Sequence, residues 1–151
     1  MQEDYEPILN LNLKACFCTC KAALKHMVAQ GKGNIVNIAS IGGILAMPQQ
    51  TSYAASKAAL IQLSRTLAVE YCKKGVRVNS ISPGLTLTEI VEPGSEIETM
   101  LRALVPGGGA GTAEGIANAV VFCASDEVPF MTGANLIIDG AQSCGPCPPQ
   151  Y

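Results

Sequence analysis

The sequence predicts an α/β fold in which about three parallel strands are flanked by helices. Three short apolar runs alternate with longer segments whose apolar residues recur at helical spacing. Such alternation is typical of strand-helix-strand units, whose strands lie parallel in one sheet. The predicted strands occupy residues 34–39, 76–81 and 136–139.

Two long helices are predicted from stripes of apolar residues at spacings of three and four. The first runs from about Glu3 to Ala29, and its acidic first turn suits the helix dipole. The second runs from about Thr51 to Cys72, and Gly75 is the residue that terminates it. The stripes consist of Leu9, Leu13, Phe17, Cys20, Leu24 and Val28 in the first helix, and of Leu60, Leu63, Leu67 and Tyr71 in the second.

Two shorter helices follow in the second half of the chain. One lies near Ser95 to Leu104, and we expect the side chains of Glu92, Glu96 and Glu98 to be solvated. The other starts after Thr112, where Gly115 occupies the position of a glutamate that would complete a capping box. Its apolar face contains Ile116, Val120 and Cys123.

A serine, a tyrosine and a lysine lie where an α/β active site is expected. Ser40 follows the first strand, and a loop leads from it to the second long helix. Tyr53 and Lys57 lie one turn apart on that helix, so the lysine charge favours the tyrosinate. A phenol, an ammonium and a hydroxyl near one carbonyl suit proton transfer in redox chemistry. The alternative is a surface tyrosine and lysine at helical spacing, with a turn serine nearby.

Five segments, in order and spacing, resemble the short-chain dehydrogenase/reductase family. They are Asn12–Lys14, Asn34–Ser40, Tyr53–Leu60, Val76–Gly84 and Thr132–Gly140. The resemblance covers nearly the whole range from Tyr5 to Gly140. It implies a partial Rossmann-like, doubly wound parallel sheet whose N-terminal dinucleotide-binding half is missing.

The resemblance also implies a reaction, the interconversion of a secondary alcohol or polyol and its ketone. Tyr53 would exchange a proton with the substrate oxygen, and Ser40 would orient that oxygen. Lys57 would favour the tyrosinate and hold the nicotinamide ribose. Asn12 would hold a water that links Lys57 to solvent; the alternative is an ordinary polar helix residue.

Further resemblance assigns nicotinamide binding to the turn after the second strand. Pro83, Gly84, Thr86 and Thr88 would fix the carboxamide, although the family usually has an aliphatic residue at the Thr86 position. The alternative is that Pro83-Gly84 only marks a tight turn. The cofactor would be NAD or NADP, and the preference cannot be predicted because the discriminating residues are absent from the sequence.

No segment of the 151 residues has the strand, glycine-rich turn and helix that hold a pyrophosphate. We therefore keep a second hypothesis, a truncated non-catalytic fragment or a subunit that acts by pairing. Residues 1–140 would form the C-terminal part of one domain and residues 141–151 a disordered tail. The strand at residues 35–38 would then have an unpaired edge.

Composition agrees with a globular protein of the cytoplasm and suggests neither nucleic acid nor a membrane as partner. The net charge is −2, hydrophobic residues make up 48% of the chain, and no apolar run approaches membrane-spanning length. We expect a small-molecule substrate and a homo-oligomer formed through helices 3–29 and 51–72, as the family resemblance implies.

The seven cysteines do not predict a metal site. Cys16, Cys18 and Cys20 alternate along a helix, and His26 is the single histidine. Cys144-Gly-Pro-Cys147 has the spacing of a redox motif, but the prolines that follow prevent the helix such a motif requires. The terminal Pro-Pro-Gln-Tyr also matches a short ligand of WW modules.

Overall fold

The computed structural model describes residues 5–88 and 94–146. Helices and strands alternate along these residues, as the sequence predicts. The helices are α1 (Tyr5–Leu9), a π-helical segment (Asn10–Lys14), α2 (Ala15–Gln30), α3 (Thr51–Tyr71), α4 (Glu96–Ala103) and α5 (Ala113–Ala124). The strands are β1 (Gly33–Ile38), β2 (Val76–Pro83), β3 (Thr86–Leu87), β4 (Gly111–Thr112) and β5 (Asn135–Ile138), and short 3₁₀ turns lie at Ile41–Gly43 and Cys72–Lys74.

The main sheet has three parallel strands in the order β1-β2-β5. Gly33 lies opposite Val76 and Ile38 lies opposite Ile81, so β1 and the first part of β2 are in register. The carboxyl ends of these strands therefore meet at one edge of the sheet. The predicted α/β class and the three parallel strands are confirmed.

Helices cover both faces of the sheet. Successive side chains of β2 point in opposite directions, so they contact helices on each face in turn. Val76 and Val78 are fully buried against residues of α2 and α3. Arg77 points to the other face and donates hydrogen bonds to the end of α5. The sheet is thus doubly wound. Its core cluster consists of Cys20, Leu24, Leu67, Ala68, Val76 and Val78.

Buried polar side chains fasten β2 to the segment that leads into β5. The Asn79 amide donates to the Met131 carbonyl at 3.0 Å and accepts from the Ala134 N–H at 3.1 Å. The Ser80 and Ser82 hydroxyls both donate to Asn135 Oδ1, at 2.9 and 2.8 Å. Because these polar groups are paired, β2 can be buried on both faces at little cost.

The first long helix differs from its prediction in two ways: it contains a π-helical segment at Asn10–Lys14, and two residues of its apolar stripe are exposed. A π turn adds a residue to one turn and so changes which face of the helix points inward. Cys20 and Leu24 are buried as predicted, whereas Phe17 is 49% and Val28 36% exposed. The continuous apolar stripe was therefore wrong at these two positions.

The expected solvation of Glu98 was also wrong, whereas Glu92 lies outside the described residues. Glu98 is buried, and its carboxylate accepts from the Gly94 N–H at 2.6 Å and from Arg102 Nε at 2.8 Å. The Ser95 hydroxyl in turn accepts from the Glu98 N–H at 3.1 Å, which caps α4. The Gly94 N–H, together with Arg102, holds the pKa of the Glu98 carboxyl below its usual range.

Each end of α5 has a partner. At the start, Thr112 Oγ1 accepts from the Gly115 N–H at 3.0 Å, as an N-cap does. At the other end, Arg77 donates to three carbonyls, those of Cys123 at 3.0 Å, Met131 at 3.2 Å and Ser125 at 2.6 Å. A cation at the last carbonyls of a helix also interacts favourably with the helix dipole and so stabilises the helix.

No helix in residues 5–88 and 94–146 is long and apolar enough to cross a membrane. Residues 141–146 form turns, in which the Asp139 carboxylate accepts from the Ala141 and Ser143 N–H groups at 3.0 and 2.7 Å. The rest of the predicted disordered tail, residues 147–151, lies outside the described residues.

We expect Arg77→Met to lower the free energy of unfolding by about 2 to 4 kcal/mol, because three carbonyls lose a charged donor. Urea denaturation measures this change. Arg65→Met, which removes an exposed arginine from α3, is the control and should change stability by less than about 0.5 kcal/mol. Equal effects of the two substitutions would show that the Arg77 hydrogen bonds contribute nothing.

Candidate active site

Ser40 lies just beyond the carboxyl end of β1, at the start of the Ile41–Gly43 turn. The ladder continues past β1, because the Ala39 N–H donates to the Ile81 carbonyl at 2.7 Å. Ser40 Oγ accepts from the Gly42 N–H at 3.0 Å, which fixes the hydroxyl at the start of the turn. The serine side chain is buried.

Gly43 allows this turn to rest directly on the backbone of α3. A Cβ atom at Gly43 would lie 2.7 Å from the Lys57 carbonyl carbon and 2.8 Å from the Ala58 nitrogen. Both distances are too short for a contact between a Cβ atom and backbone atoms, so any larger residue would push the turn away from the helix. The glycine thereby sets the separation between Ser40 and the helix that carries Tyr53.

Tyr53 and Lys57 lie one turn apart near the start of α3, as the sequence predicts. The Lys57 Nζ atom lies 5.6 Å from the centroid of the Tyr53 ring. It also donates to the Ile38 carbonyl at 3.0 Å, which ties α3 to the last residue of β1. The ammonium is thus held beside the phenol by a backbone partner.

Partial burial lowers the pKa of Lys57, because the charged form loses part of its hydration. The coulombic interaction with the neighbouring Cys16 sulfur acts on the Lys57 pKa in the opposite direction. The lysine is half-buried, so the site retains a cation that solvent screens only in part.

These side chains share one cleft with the turn that follows β2. Its volume is about 390 Å³, within the range of small-molecule sites. Of the residues predicted for the site, Ser40, Tyr53, Lys57, Pro83, Gly84, Thr86 and Thr88 all line this cleft.

Asn12 is the predicted site residue that the structure leaves out of the cleft. It lies in the π-helical segment, and its side-chain amide donates to Ser56 Oγ at 3.2 Å. The Ser56 hydroxyl then donates to the Tyr53 carbonyl at 2.6 Å. Asn12 therefore contacts the turn of α3 that holds Tyr53 and Lys57, and its part in a proton relay stays a prediction.

The backbone of Gly84 packs closely against the residue that follows β5. A Cβ atom there would lie 2.7 Å from the Asp139 Cβ, just after β5. Thr86 donates from its hydroxyl to the Gly84 carbonyl at 3.2 Å and pairs with Gly111 in the small β3-β4 sheet. Thr88 is exposed at the rim. The turn is thus fixed by backbone contacts on several sides.

Several contributors to the cleft were missed by the sequence analysis. Ala113 and Ile116, from the first turns of α5, complete the lining together with Ile38 and Ala39. A carbonyl such as that of Ile38 leaves no signal in a side-chain pattern. The N-cap signal at Thr112 does predict where α5 begins, but not that its first turn faces Ser40.

The donors in the cleft fit the ribose and carboxamide of a nicotinamide nucleotide. An ammonium has three N–H donors, and the Ile38 carbonyl takes one of those of Lys57. Hydroxyls of Ser40 and Tyr53 can donate to or accept from one oxygen, and hydroxyl and backbone groups at Thr86 and Gly84 suit an amide. Chemically, the arrangement can transfer a proton to or from a bound oxygen.

None of the cysteines that the structure describes lines this cleft, although Cys16 lies near Lys57. Cys20 and Cys123 are buried, Cys16 is half-buried, and Cys18, Cys72 and Cys144 are exposed free thiols. Within the described ranges, no three His, Cys, Asp or Glu side chains are grouped as metal ligands. Cys147 lies outside these ranges, so the predicted lack of a redox function for the Cys144 motif stays a prediction.

Comparison with known proteins identifies similar chains. A family model described as enoyl-(acyl carrier protein) reductase matches residues 1–141. The 2-(R)-hydroxypropyl-CoM dehydrogenase of Xanthobacter autotrophicus is 36% identical over 142 residues, which are 92% of this chain and 57% of that protein. The NAD-dependent glycerol dehydrogenase of Listeria innocua is 36% identical over 141 residues, 92% of this chain and 56% of its own length.

A solved structure also matches throughout the described fold. ElxO with NADP bound superposes with a TM-score of 0.91 at 32% identity, over 96% of this chain and 60% of that one. The chain thus spans between 56% and 60% of the length of these proteins.

We expect the stability of the chain relative to a Lys57→Met variant to increase as the pH rises from neutrality towards 10.5, the usual pKa of a lysine. The lowered pKa means that the folded chain binds fewer protons than the unfolded chain between the folded-state pKa and the usual 10.5. Burial of the charge therefore costs stability at neutral pH, and the cost disappears across that interval.

Urea denaturation at several pH values gives the difference between the two proteins. Lys25→Met removes an exposed lysine from α2 and controls for the loss of one positive charge. A difference that stays constant or shrinks with rising pH would contradict the desolvation of Lys57.

Proposed function

Because the chain belongs to the short-chain dehydrogenase/reductase family, we propose that it interconverts a secondary alcohol or polyol and its ketone with NAD or NADP. The observation that carries this proposal is the cleft shared by Ser40, Tyr53 and Lys57 with the turn after β2. The names of the relatives support the substrate class, since one acts on a hydroxypropyl group and another on glycerol.

Tyr53 is the proposed acid/base residue. In the oxidation of an alcohol, its phenolate accepts the hydroxyl proton; in the reduction of a ketone, its phenol donates the proton to the oxygen. Lys57 favours the phenolate by its positive charge, and Ser40 orients the substrate oxygen by a hydrogen bond. A nicotinamide nucleotide, when bound, would supply or accept the hydride at the substrate carbon.

Tyr53, Lys57 and the turn after β2 are the proposed cofactor contacts. The Lys57 ammonium would hold ribose hydroxyls while it keeps its bond to the Ile38 carbonyl. Pro83, Gly84, Thr86 and Thr88 would hold the carboxamide. The choice between NAD and NADP stays open, because one relative is named NAD-dependent and ElxO holds NADP.

Asn12 completes the proposed site as a positioning residue for a water next to Lys57. Support comes from its bond to Ser56, which precedes Lys57 in α3. The link continues to the Tyr53 carbonyl, so a change at Asn12 reaches the turn that carries both reacting groups. A proton leaving Tyr53 would pass along this side of α3 to solvent.

A second candidate function, a non-catalytic fragment or a pairing subunit, is favoured by the position of β1. This strand lies at one edge of the three-stranded sheet described above, with β2 as its partner. An edge strand presents unpaired N–H and C=O groups to another chain. In this function residues 1–140 are part of one domain and the cofactor cradle lies elsewhere.

We further propose a homo-oligomer in the cytoplasm, formed through helices 3–29 and 51–72. Large apolar side chains are exposed on these helices, Leu11 at 72%, Phe17 at 49% and Val69 at 80%. A groove of about 420 Å³ runs between α3 and the π-helical region, lined by Leu13, Phe17, Leu63 and their neighbours. Exposed apolar patches of this kind are typical of protein interfaces.

Tyr53→Phe should lower turnover by roughly 10²- to 10⁴-fold and weaken nucleotide binding far less, because the proton-transferring hydroxyl is lost while the other proposed cofactor contacts remain. Turnover is followed by nicotinamide absorbance with glycerol and propan-2-ol as substrates. Tyr71→Phe, at the far end of α3 and outside the cleft, is the matched control and should retain activity. An active Tyr53→Phe protein would contradict the assignment.

Titration of the purified chain with NADH and NADPH, followed by nicotinamide fluorescence, separates the two candidate functions. Binding at about micromolar concentration would contradict the fragment hypothesis. No binding and no turnover would contradict catalysis by this chain alone.

Val69→Glu should weaken self-association at least about tenfold, because it places a charge in the proposed interface. Light scattering across a concentration series measures the oligomer. Val121→Glu, which alters a residue of α5 that is 66% exposed, is the control and should leave association unchanged. A chain that is monomeric throughout the series would disprove the oligomer.

A further inference from the structure

The turn after β5 is organised by the carboxylate of Asp139. Its two oxygens accept from the Ala141 and Ser143 N–H groups at 3.0 and 2.7 Å. The Asp139 carbonyl also accepts from the Gln142 N–H at 3.1 Å. These three bonds fix residues 139–143 as a compact turn and set the direction of the Gln142 side chain.

The Gln142 side chain contacts the backbone of the turn after β2. Its Oε1 atom accepts from the Leu85 N–H at 3.3 Å. On the other side of the same residue, the Leu85 carbonyl accepts from the Gly111 N–H at 2.8 Å. The Leu85 residue is therefore held from both sides, by a side chain and by β4.

Close packing reinforces this contact at Gly84. A Cβ atom at that position would lie 2.7 Å from Asp139 Cβ and 3.0 Å from Gln142 Oε1. The Gly84 N–H also donates to the Ile138 carbonyl at 2.9 Å. The turn after β2 thus rests on the turn after β5 without room for a methyl group.

The same turn contacts the segment that follows α4. The Gly107 N–H donates to the Gly140 carbonyl at 2.9 Å. Gly140 has a φ of +59°, and a Cβ atom there would lie 2.7 Å from Val105 Cγ1. Residues 139–142 therefore lie between two segments and contact both of them: the turn after β2 and the segment that follows α4.

We propose that Gln142 is a positioning residue for the nicotinamide-binding turn, and that the Asp139–Ser143 turn couples this turn to the segment after α4. The role in nicotinamide binding rests on the proposed function. The mechanical part depends only on the contacts above. A backbone turn that holds a ligand must keep its peptide groups in fixed orientations, and the Gln142 bond fixes the peptide between Gly84 and Leu85.

Amide hydrogen exchange of the nucleotide-free chain, measured by NMR, tests the role of Gln142. Gln142→Met removes the acceptor at similar side-chain length, and we expect exchange at the Leu85 N–H to become about fivefold faster. Gln142→Glu keeps an acceptor oxygen and should restore slow exchange. The Ser80 N–H, in the centre of the sheet, reports on the fold and should be unchanged in both variants.

An unchanged Leu85 rate in Gln142→Met would overturn the proposal, as would equal acceleration in Gln142→Glu. Because no nucleotide is present, failure of the chain to bind NADH contradicts the proposed function and leaves this result standing.

Gly140→Ala tests the coupling without altering Gln142. The added methyl group meets Val105, so the turn must shift, and exchange should become faster at both Gly107 and Leu85. Acceleration at Gly107 alone, with Leu85 at the rate of the unaltered protein, would disprove the coupling.

Discussion

The pairing of β1 with β2 is the interaction on which the rest of the structure depends. Parallel register brings the ends of both strands to one edge, so that Ser40 and the turn after β2 face the same cleft. Helices pack on both faces of the paired strands, which places Asn79 and two serines of β2 in the core. Those groups are tolerated because each has a partner on the way into β5. The polar core and the site are thus two results of one sheet geometry.

The cleft is assembled by backbone atoms as much as by side chains. The Ile38 carbonyl holds Lys57 beside the phenol, and Gly43 lets the Ser40 turn contact the backbone of α3. Half-burial of the ammonium has an energetic cost, and the same partial exclusion of water strengthens its field at Tyr53. A site of this design tolerates changes in surface residues but responds to small displacements of the turn or of α3.

Much of the fold was predictable because its signals are local. Apolar runs predicted the three strands, and the cap at Thr112 predicted where α5 begins. The spacing of Tyr53 and Lys57 predicted that they share a helix face. What could not be predicted depends on contacts distant in sequence or on the backbone: the burial of Glu98, the exposure of Phe17, and the lining of the cleft by α5. The catalytic roles come from the family resemblance and stay predictions.

The π-helical segment at Asn10–Lys14 changes how the first helix should be compared between related chains. One extra residue in a turn rotates everything before it by about 100° relative to everything after it. In an alignment it therefore behaves as a single-residue insertion hidden inside a continuous helix. Positions of one helix face that are counted by a seven-residue period from Tyr5 will be out of phase beyond Lys14. Deleting one residue here would preserve the helix while turning its first part away from α3.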